Sequence, residues 1–189
     1  AFLSVPREKF VPDGKREAAY IGENFQIGQS RVILDPRTLA KLLDALNIHN
    51  DESVLDIGSG LGYSSAVISL IAEVVIAVED DSSLVSEAEE ILSEVGADNV
   101  VVQFSKLEDG APEHGPYDVI ILQGGVEEIP VSILKQLKNG GRIGAIFIKE
   151  GLGTAKIGFK LNDKINWRYS FNAAAPVLPG FFKQKDFAL

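Results

Sequence analysis

Short apolar runs rich in β-branched residues alternate with helix-like stretches through the middle of the chain. Runs of this kind suit strands that are buried on both faces of a sheet. Helical stretches between such strands imply parallel pairing through crossover connections. The pattern predicts an α/β fold, a doubly wound and mostly parallel sheet with helices on both faces, with strands at 54–57, 74–78, 100–104, 119–122 and 142–148.

Capping and spacing signals place the helices between and before these strands. In LDPRTLAKLLDAL, Asp35 is suited to cap a helix that begins at Pro36 and carries leucines at helical spacing. Residues 155–171 alternate like a terminal hairpin that turns at Asn162-Asp163, and the Pro-containing tail after it could cover the substrate cleft or a neighbouring subunit. Further helices are predicted at 63–72, 82–95 and 130–137.

Length and composition favour one compact domain with a substantial core. The chain has 189 residues, 46% of them hydrophobic. We expect a single domain over 1–189, made of an N-terminal helical and substrate-side segment at 1–50, a cofactor-binding core at 51–150 and a terminal hairpin and tail at 151–189. The chain starts at Ala1 and contains no Met, so we expect the native start to lie upstream.

Several classes of chemistry and location are disfavoured by what the chain lacks. It has no cysteine, which excludes disulfides, thiolate metal sites and a cysteine nucleophile, and its two isolated histidines predict no metal site. No apolar run reaches the roughly 18 residues of a membrane span, and no signal pattern begins the chain. We therefore expect a soluble cytoplasmic protein without a membrane partner.

The net charge of −9 is distributed unevenly. Acidic residues are concentrated in 51–130, while the two ends of the chain are neutral to basic. A polyanion would be repelled by the acidic middle segment. Nucleic acid is therefore not expected as a partner.

The stretch ESVLDIGSGLGYSSA, residues 52–66, carries a strand into a glycine-rich turn and then a helix. Ligands of open α/β sheets bind beyond the carboxyl ends of the strands. Gly58, Gly60 and Gly62 permit a sharp bend and close approach to a flat ligand. Asp56 ends the first strand, and Glu79 ends the second, where an acid can accept both hydroxyls of a ribose.

Glycine spacing separates two cofactor classes. A nicotinamide dinucleotide fingerprint, G-x-G-x-x-G, would need glycine where Tyr63 stands. The observed G-x-G-x-G, preceded by an acid, suits S-adenosylmethionine, which has no pyrophosphate for the helix N-terminus to bind. A nicotinamide-dependent oxidoreductase remains a weaker alternative, because it shares the sheet and an acid at the position of Glu79.

Four segments and Tyr20 carry a resemblance over nearly the whole chain: VPREKFVP, VLDIGSGLGYSSAV, PYDVIIL and IPVSILKQLKNGGRIG. In order and spacing they resemble the protein-L-isoaspartate O-methyltransferases. The resemblance implies a class I methyltransferase fold, Rossmann-like, in which S-adenosylmethionine donates a methyl group to the carboxyl of an isoaspartyl residue in damaged protein. The cofactor contacts expected are Asp56, Gly58, Ser59, Gly60, Gly62, Glu79, Asp80 and Leu107.

Two positions depart from the pattern of that family. The family's Ile-Ser-x-Pro stretch, next to the transferred methyl, reads Ile-Leu-Asp-Pro here, so Leu34 replaces a hydroxyl. Its Gly-Asp-Gly turn reads Ser-Lys-Leu and ends at Leu107, where Glu108 or Asp109 could replace the missing acid. The substrate contacts expected are Ile33, Leu34, Pro36 and Arg37, and an acceptor carboxylate could also meet Ser30 or Arg31.

The chemistry that the resemblance implies requires few catalytic side chains. A carboxylate that attacks a sulfonium methyl is already a competent nucleophile, so alignment and exclusion of water are the main requirements. We therefore assign no catalytic residue. The alternatives are a methyltransferase with a different carboxylate or small-molecule acceptor and a non-catalytic module that binds S-adenosylmethionine. The chain is expected to be a monomer or a homodimer.

Overall fold

A computed structural model describes residues 1–12 and 14–183 of the chain. It has a seven-stranded sheet, a separate two-stranded hairpin and four α-helices. None of the helices in these residues is long and apolar enough to cross a membrane. The elements are β1 Phe25–Gly28, β2 Arg31–Ile33, α1 Pro36–Leu46, β3 Ser53–Ile57, α2 Tyr63–Ser69, β4 Val74–Glu79, α3 Ser82–Glu94, β5 Val100–Phe104, β6 Tyr117–Val126, α4 Val131–Lys135, β7 Leu137–Lys149, β8 Leu152–Leu161 and β9 Lys164–Asn172.

The order of the large sheet is β5-β4-β3-β6-β7-β8-β9. Pairing is parallel from β5 to β7 and antiparallel for β8 and β9. The chain proceeds from β3 toward one edge and then returns to the other side of β3 at β6. This reversal creates a topological switch point beyond the carboxyl end of β3, the usual ligand position in such sheets. The predicted mostly parallel, doubly wound sheet is confirmed.

Helix α1 begins as the sequence predicts. The Asp35 side chain accepts a hydrogen bond from the Thr38 amide at 2.9 Å, and Pro36 occupies the first turn, where its missing N–H removes no helical bond. The buried face of α1 consists of Thr38, Leu39, Leu42, Leu43 and Leu46. Burial of this leucine stripe against the sheet stabilises the helix more than its intrinsic propensity does.

Arg7 connects the N-terminal segment to the rest of the core. Its Nε donates to the Ala19 carbonyl at 2.7 Å and its Nη2 donates to the Leu34 carbonyl at 2.9 Å. The guanidinium also lies 4.7 Å from the centre of the Tyr63 ring. Arg7 is only 1% exposed, so these contacts take the place of water at Nε and Nη2, whereas Nη1 has no hydrogen-bond partner among the described residues.

The two faces of the sheet are covered differently. Helices α1, α2 and α3 pack on one face and form the first apolar cluster with Val54, Val75 and Val119. The opposite face is covered by α4, the loop 105–116 and the tail 173–181, whose Leu178 and Phe181 are almost fully buried. The tail is therefore part of the core on that face.

The terminal hairpin predicted at 155–171 is confirmed, with β8 and β9 as its strands. Asn162 and Asp163 form its turn with φ of 49° and 62°. Two positive φ values match the right-handed twist of a two-residue hairpin, and Asn and Asp tolerate this conformation better than most residues.

Several predicted boundaries are wrong, and one pair of strands was missed. The helix predicted at 63–72 ends at Ser69, and the one predicted at 130–137 spans Val131–Lys135. Strand β7 begins at Leu137, before the Asn-Gly-Gly segment that was expected to separate helix from strand. The hairpin of β1 and β2 was missed because its strands are only four and three residues long, too short for a clear alternation.

Candidate functional site

The glycine turn follows β3 at the switch point, as the sequence predicts. Gly58, Gly60 and Gly62 have φ of +76°, +57° and +88°, conformations that side chains with a Cβ adopt at a cost. The amides of Gly58 and Ser59 both donate to the carbonyl of Val78 on the neighbouring strand, at 2.8 and 3.2 Å. These bonds fix the turn against the end of β4.

Asp56 is completely buried beneath the turn. Its carboxylate accepts hydrogen bonds from Ser64 Oγ and Ser65 Oγ, both at 2.6 Å, and from Gln123 Nε2 at 2.7 Å. Burial raises the pKa of Asp56, and these three donors oppose the rise. The side chain thus connects β3 to α2 and β6 and supports the turn from below.

Glu79, at the end of β4, is also completely buried and accepts hydrogen bonds from four N–H donors, one of which is shared between its two oxygens. Its oxygens receive the amides of Gly60 at 2.9 Å, Asp80 at 2.9 Å and Asp81 at 3.2 Å. Arg31 Nε donates to both oxygens, at 2.9 and 3.1 Å. A carboxylate offers about four acceptor positions, so its capacity is filled. Burial raises the pKa of Glu79, and the Arg31 guanidinium opposes that rise.

Arg31 reaches the site from β2 and binds two acidic residues at once. Besides Glu79, its guanidinium donates from Nη2 to Asp80 Oδ1. Only 5% of its side chain is exposed. The sequence suggested Arg31 as a partner for an acceptor carboxylate. In the structure its guanidinium is already paired with two carboxylates of the chain itself, Glu79 and Asp80.

Apolar side chains cover the glycines from above. A methyl carbon added at Gly60 would overlap Cδ1 of Ile27 from β1. One added at Gly58 would lie 3.2 Å from Cδ2 of Leu178, in the tail, and 3.7 Å from Cδ1 of Leu107. The tail is fastened beside them, because the amide of Leu178 donates to the Gly125 carbonyl at 2.9 Å. In the structure the tail covers the glycine turn, and a role at the substrate cleft or at a neighbouring subunit stays a prediction.

Ser59 has a buried hydroxyl that is not paired. Its Oγ has no hydrogen-bond partner among the residues that the structure describes, although the residue is only 6% exposed. It lines a cavity of about 10 Å³ together with Leu34, Tyr63, Ser64 and Gln123. A space of this size holds about one water molecule.

A larger groove of about 700 Å³ lies at the N-terminus of α1. Arg37 and Lys41 line it with Asn24 and Phe171, and the Lys41 ammonium lies 4.0 Å from the centre of the Phe171 ring. Of the four residues predicted to contact substrate, Pro36 and Arg37 line this groove, while Ile33 and Leu34 are buried, at 6% and 1% exposure.

Three residues that shape the cleft carry no signal in the sequence for the contacts that they make in the structure. Ile27 and Arg31 lie in a hairpin that the apolar pattern does not reveal, and Gln123 resembles any polar residue at the end of a buried strand. Their contacts depend on residues distant in sequence, such as the Arg31–Glu79 pair, separated by 48 positions.

The sheet order and the glycine turn at its switch point define a Rossmann-like domain of the class I methyltransferase type. A family model, protein-L-isoaspartate(D-aspartate) O-methyltransferase (PCMT), matches residues 1–165. The chain belongs to the protein-L-isoaspartate O-methyltransferase family.

Individual relatives agree with this membership. The protein-L-isoaspartate O-methyltransferase of Opitutus terrae is 34% identical over 143 residues, which cover 76% of this chain and 61% of that protein. A solved protein-L-isoaspartate O-methyltransferase superposes with a TM-score of 0.85 at 26% identity, covering 95% of this chain and 60% of that one. A Plasmodium falciparum structure, in complex with S-adenosyl-L-homocysteine, has a TM-score of 0.76 at 20% identity, covering 93% and 87%. The chain thus spans about three fifths of the Opitutus relative's length.

Proposed function

We propose that this chain is an S-adenosylmethionine-dependent methyltransferase that methylates the carboxyl of L-isoaspartyl residues in damaged proteins. The observation that carries the proposal is the contact between Glu79 and the glycine turn. Glu79, at the end of β4, accepts a hydrogen bond from the Gly60 amide. The acid and the glycine turn, the two parts that a ribose-binding arrangement needs, therefore lie next to each other. Membership in the family supplies the substrate class.

The polar groups of the site suit the proposed cofactor. Glu79 and Asp80 would bind ribose hydroxyls, Gly58 and Gly60 would allow close approach, and the unpaired Ser59 hydroxyl would bind a polar group of the amino-acid end. Asp56 and Gly62 would support the turn, and Leu107 would pack on the apolar part. The cofactor supplies an electrophilic methyl group on its sulfonium.

In the present conformation Ile27, Arg31 and Leu178 fill the space above the glycine turn and beside Glu79. The cofactor therefore needs a rearrangement of these side chains to bind.

The chain's own residues would act by placing the acceptor and excluding water. We propose that the acceptor approaches from the groove at the N-terminus of α1, where Arg37 and Lys41 attract a carboxylate. The buried Ile33 and Leu34 line the small cavity beside Ser59 of the glycine turn and would present an apolar wall to the acceptor. An apolar wall weakens solvation of the attacking carboxylate, and removal of water from the reacting groups favours methyl transfer. Pro36 fixes the start of α1, which carries Arg37.

Transfer of labelled methyl from S-adenosylmethionine to a peptide with one isoaspartyl residue tests the proposal. The same peptide with ordinary aspartate is the matched control. We expect label in the isoaspartyl peptide alone. Equal labelling of both peptides would mean that the chain methylates carboxylates other than isoaspartate. Labelling of neither peptide would contradict the proposed activity.

A second candidate is a non-catalytic module that binds S-adenosylmethionine. It is favoured by the filled cleft, in which Arg31 is hydrogen-bonded to Glu79, the carboxylate that would otherwise bind the ribose hydroxyls. This candidate predicts that S-adenosylhomocysteine binds and that no methyl reaches any offered protein or peptide. A cytoplasmic location, a single-domain organisation and a monomeric or homodimeric state remain predictions.

A further inference from the structure

The residues that fill the cofactor cleft come mainly from one small element. We define the closing hairpin as residues 25–33, which comprise β1, the turn and β2. It forms a sheet of its own, with three residue pairs and an irregularity between Gln26 and Gly28. A two-stranded hairpin of this length is barely stable alone, so its position depends on the burial of Val32 and Ile33 in the core and on the contacts that it makes with the cleft.

Two contacts hold the closing hairpin over the glycine turn. The buried Arg31 guanidinium binds Glu79 and Asp80, and Ile27 lies against Gly60. Neither contact involves main-chain pairing with the large sheet. Val32 and Ile33 of β2 are buried in the first apolar cluster, so opening that is confined to residues 27–31 would break the ion-pair cluster and the Ile27 contact while these two residues and the seven-stranded sheet stay in place.

A ligand that binds through Glu79 must compete with Arg31. All acceptor positions of Glu79 are filled, so two ribose hydroxyls can bind only after the guanidinium leaves. If the Arg31 guanidinium moves away and nothing takes its place, the buried Glu79 carboxylate loses its positively charged partner, which is unfavourable. Hydroxyl donors from a ligand can replace those hydrogen bonds, so opening is favourable mainly when the ligand is present.

We propose that the closing hairpin is a built-in competitor for the cofactor, with Arg31 bound at the ribose position and Ile27 at the glycine turn. The inference rests on the proposed function, because it takes S-adenosylmethionine as the ligand. Closed molecules do not bind, so the apparent affinity equals the intrinsic affinity reduced by the open fraction. Variants that weaken closure bind more tightly.

Calorimetry with S-adenosylhomocysteine on three variants tests the competition. Arg31→Gln removes the ion pair, and Ile27→Ala weakens the apolar contact without exposing a buried charge. We expect each to bind at least tenfold more tightly than the wild type. Arg142→Gln is the matched control, because Arg142 also forms a double ion pair with a glutamate, Glu52, outside the cleft, and its affinity should not change.

A fluorescent probe gives a readout independent of affinity and activity. The chain has no cysteine, so Gln29→Cys, at the exposed tip of the closing hairpin, can be labelled at one position. We expect S-adenosylhomocysteine to change the emission of this probe, at a rate that reaches a plateau as ligand increases because opening precedes binding. If Arg31→Gln fails to fold, Ile27→Ala with the probe provides the same test.

The possible outcomes separate this inference from the proposed function. If the wild type binds S-adenosylhomocysteine and the Arg31→Gln and Ile27→Ala variants bind it equally or more weakly, the proposed competition is wrong. The methyltransferase proposal is unaffected by that result. If Arg31→Gln and Ile27→Ala bind the ligand and the wild type does not, the competition is supported, with closure that almost abolishes binding. No binding by any variant at millimolar ligand would overturn the proposed cofactor, and the competition with it.

Discussion

Each buried carboxylate near the glycine turn is surrounded by donors from several elements. Asp56 receives donors from α2 and β6, and Glu79 receives backbone amides and Arg31. A buried charge without such partners would be strongly destabilising. At the residue scale, the acids that the sequence indicates as ligand contacts therefore also hold the turn together, and substitution of either one affects folding as well as binding.

Gly60 is expected to resist replacement for two separable reasons. Its φ of +57° disfavours any Cβ, and a methyl group there would overlap Ile27. We expect Gly60→Ala to lower the free energy of unfolding by about 2–4 kcal/mol, the sum of left-handed strain and overpacking. Ile27→Ala in the same chain should restore part of the loss, which urea unfolding of the two single variants and the double variant would reveal. Strictly additive losses would argue against the overlap.

Glu52 offers a pH-dependent test away from the cleft. Its carboxylate accepts two bonds from Arg142, at 2.7 and 2.6 Å, and Arg142 also donates to the Leu46 and Asn47 carbonyls that end α1. Hydrogen bonding from Arg142 lowers the pKa of Glu52. An acid whose pKa is lower in the folded state stabilises it above the unfolded pKa, and this contribution is lost as pH falls through the folded value.

The corresponding variant is Glu52→Gln. At pH 7 we expect it to lower the free energy of unfolding by about 1–2 kcal/mol, because a charged hydrogen-bonded pair is lost at a half-buried position. The difference from the wild type should shrink as pH falls below about 4, the ordinary glutamate pKa. Unfolding by urea at a series of pH values measures it. A difference that stays constant with pH would contradict the assigned ion pair.

At the scale of elements, the covers of the two sheet faces have different properties. Three helices cover one face, whereas a short helix, a loop and the tail cover the other. Helices satisfy their own backbone hydrogen bonds, while the tail relies on bonds to β6, such as the Gly125 amide to the Pro176 carbonyl at 2.8 Å. The tail position is thus tied to the end of the strand that borders the ligand cleft.

The turn of the terminal hairpin provides a stabilising substitution. Asp163 has φ of 62° and its side chain is 96% exposed, with a carboxylate 4.0 Å from Lys160 Nζ. Glycine adopts a positive φ without steric strain, and Asn-Gly is a preferred pair for such turns. We expect Asp163→Gly to raise the free energy of unfolding by about 0.5–1 kcal/mol, measured as a higher thermal midpoint. A lower midpoint would show that the carboxylate contributes more than the backbone strain.

At the scale of the whole molecule, the apolar cluster on the second face extends from the sheet into the cleft. Leu178 belongs to that cluster and also covers Gly58 and Gly124. Packing of this face and covering of the glycine turn therefore share one side chain. A change that loosens the tail should affect both.

Leu178→Ala tests the packing contribution of this side chain. The side chain is 1% exposed, so we expect its loss to lower the free energy of unfolding by about 2–4 kcal/mol, the usual range for a buried leucine. Val177→Ala, at a neighbouring half-buried tail position, is the control and should have a smaller effect. Equal losses in the two variants, in urea unfolding, would mean that Leu178 is not a core residue.

Local patterns in the sequence determine the sheet, the glycine turn at its switch point and the terminal turn. Buried parallel strands require uninterrupted apolar runs, so β3, β4 and β6 were recognisable by composition alone. The glycine turn and Glu79 follow from the ends of those strands, because parallel strands bring their carboxyl ends to one edge. Helix ends were predicted less well, since packing decides where a short helix such as Val131–Lys135 stops.

Only the tertiary structure decided how the cleft is filled. Arg31 and Glu79 are 48 positions apart, and Leu178 reaches Gly58 from the tail. Ion pairs and apolar contacts between such distant segments leave no periodic trace, because they depend on how the elements pack rather than on the spacing within any one of them. The sequence by itself therefore determined where the glycine turn and the acid at the end of β4 lie, and the tertiary structure decided which of the chain's own side chains cover them.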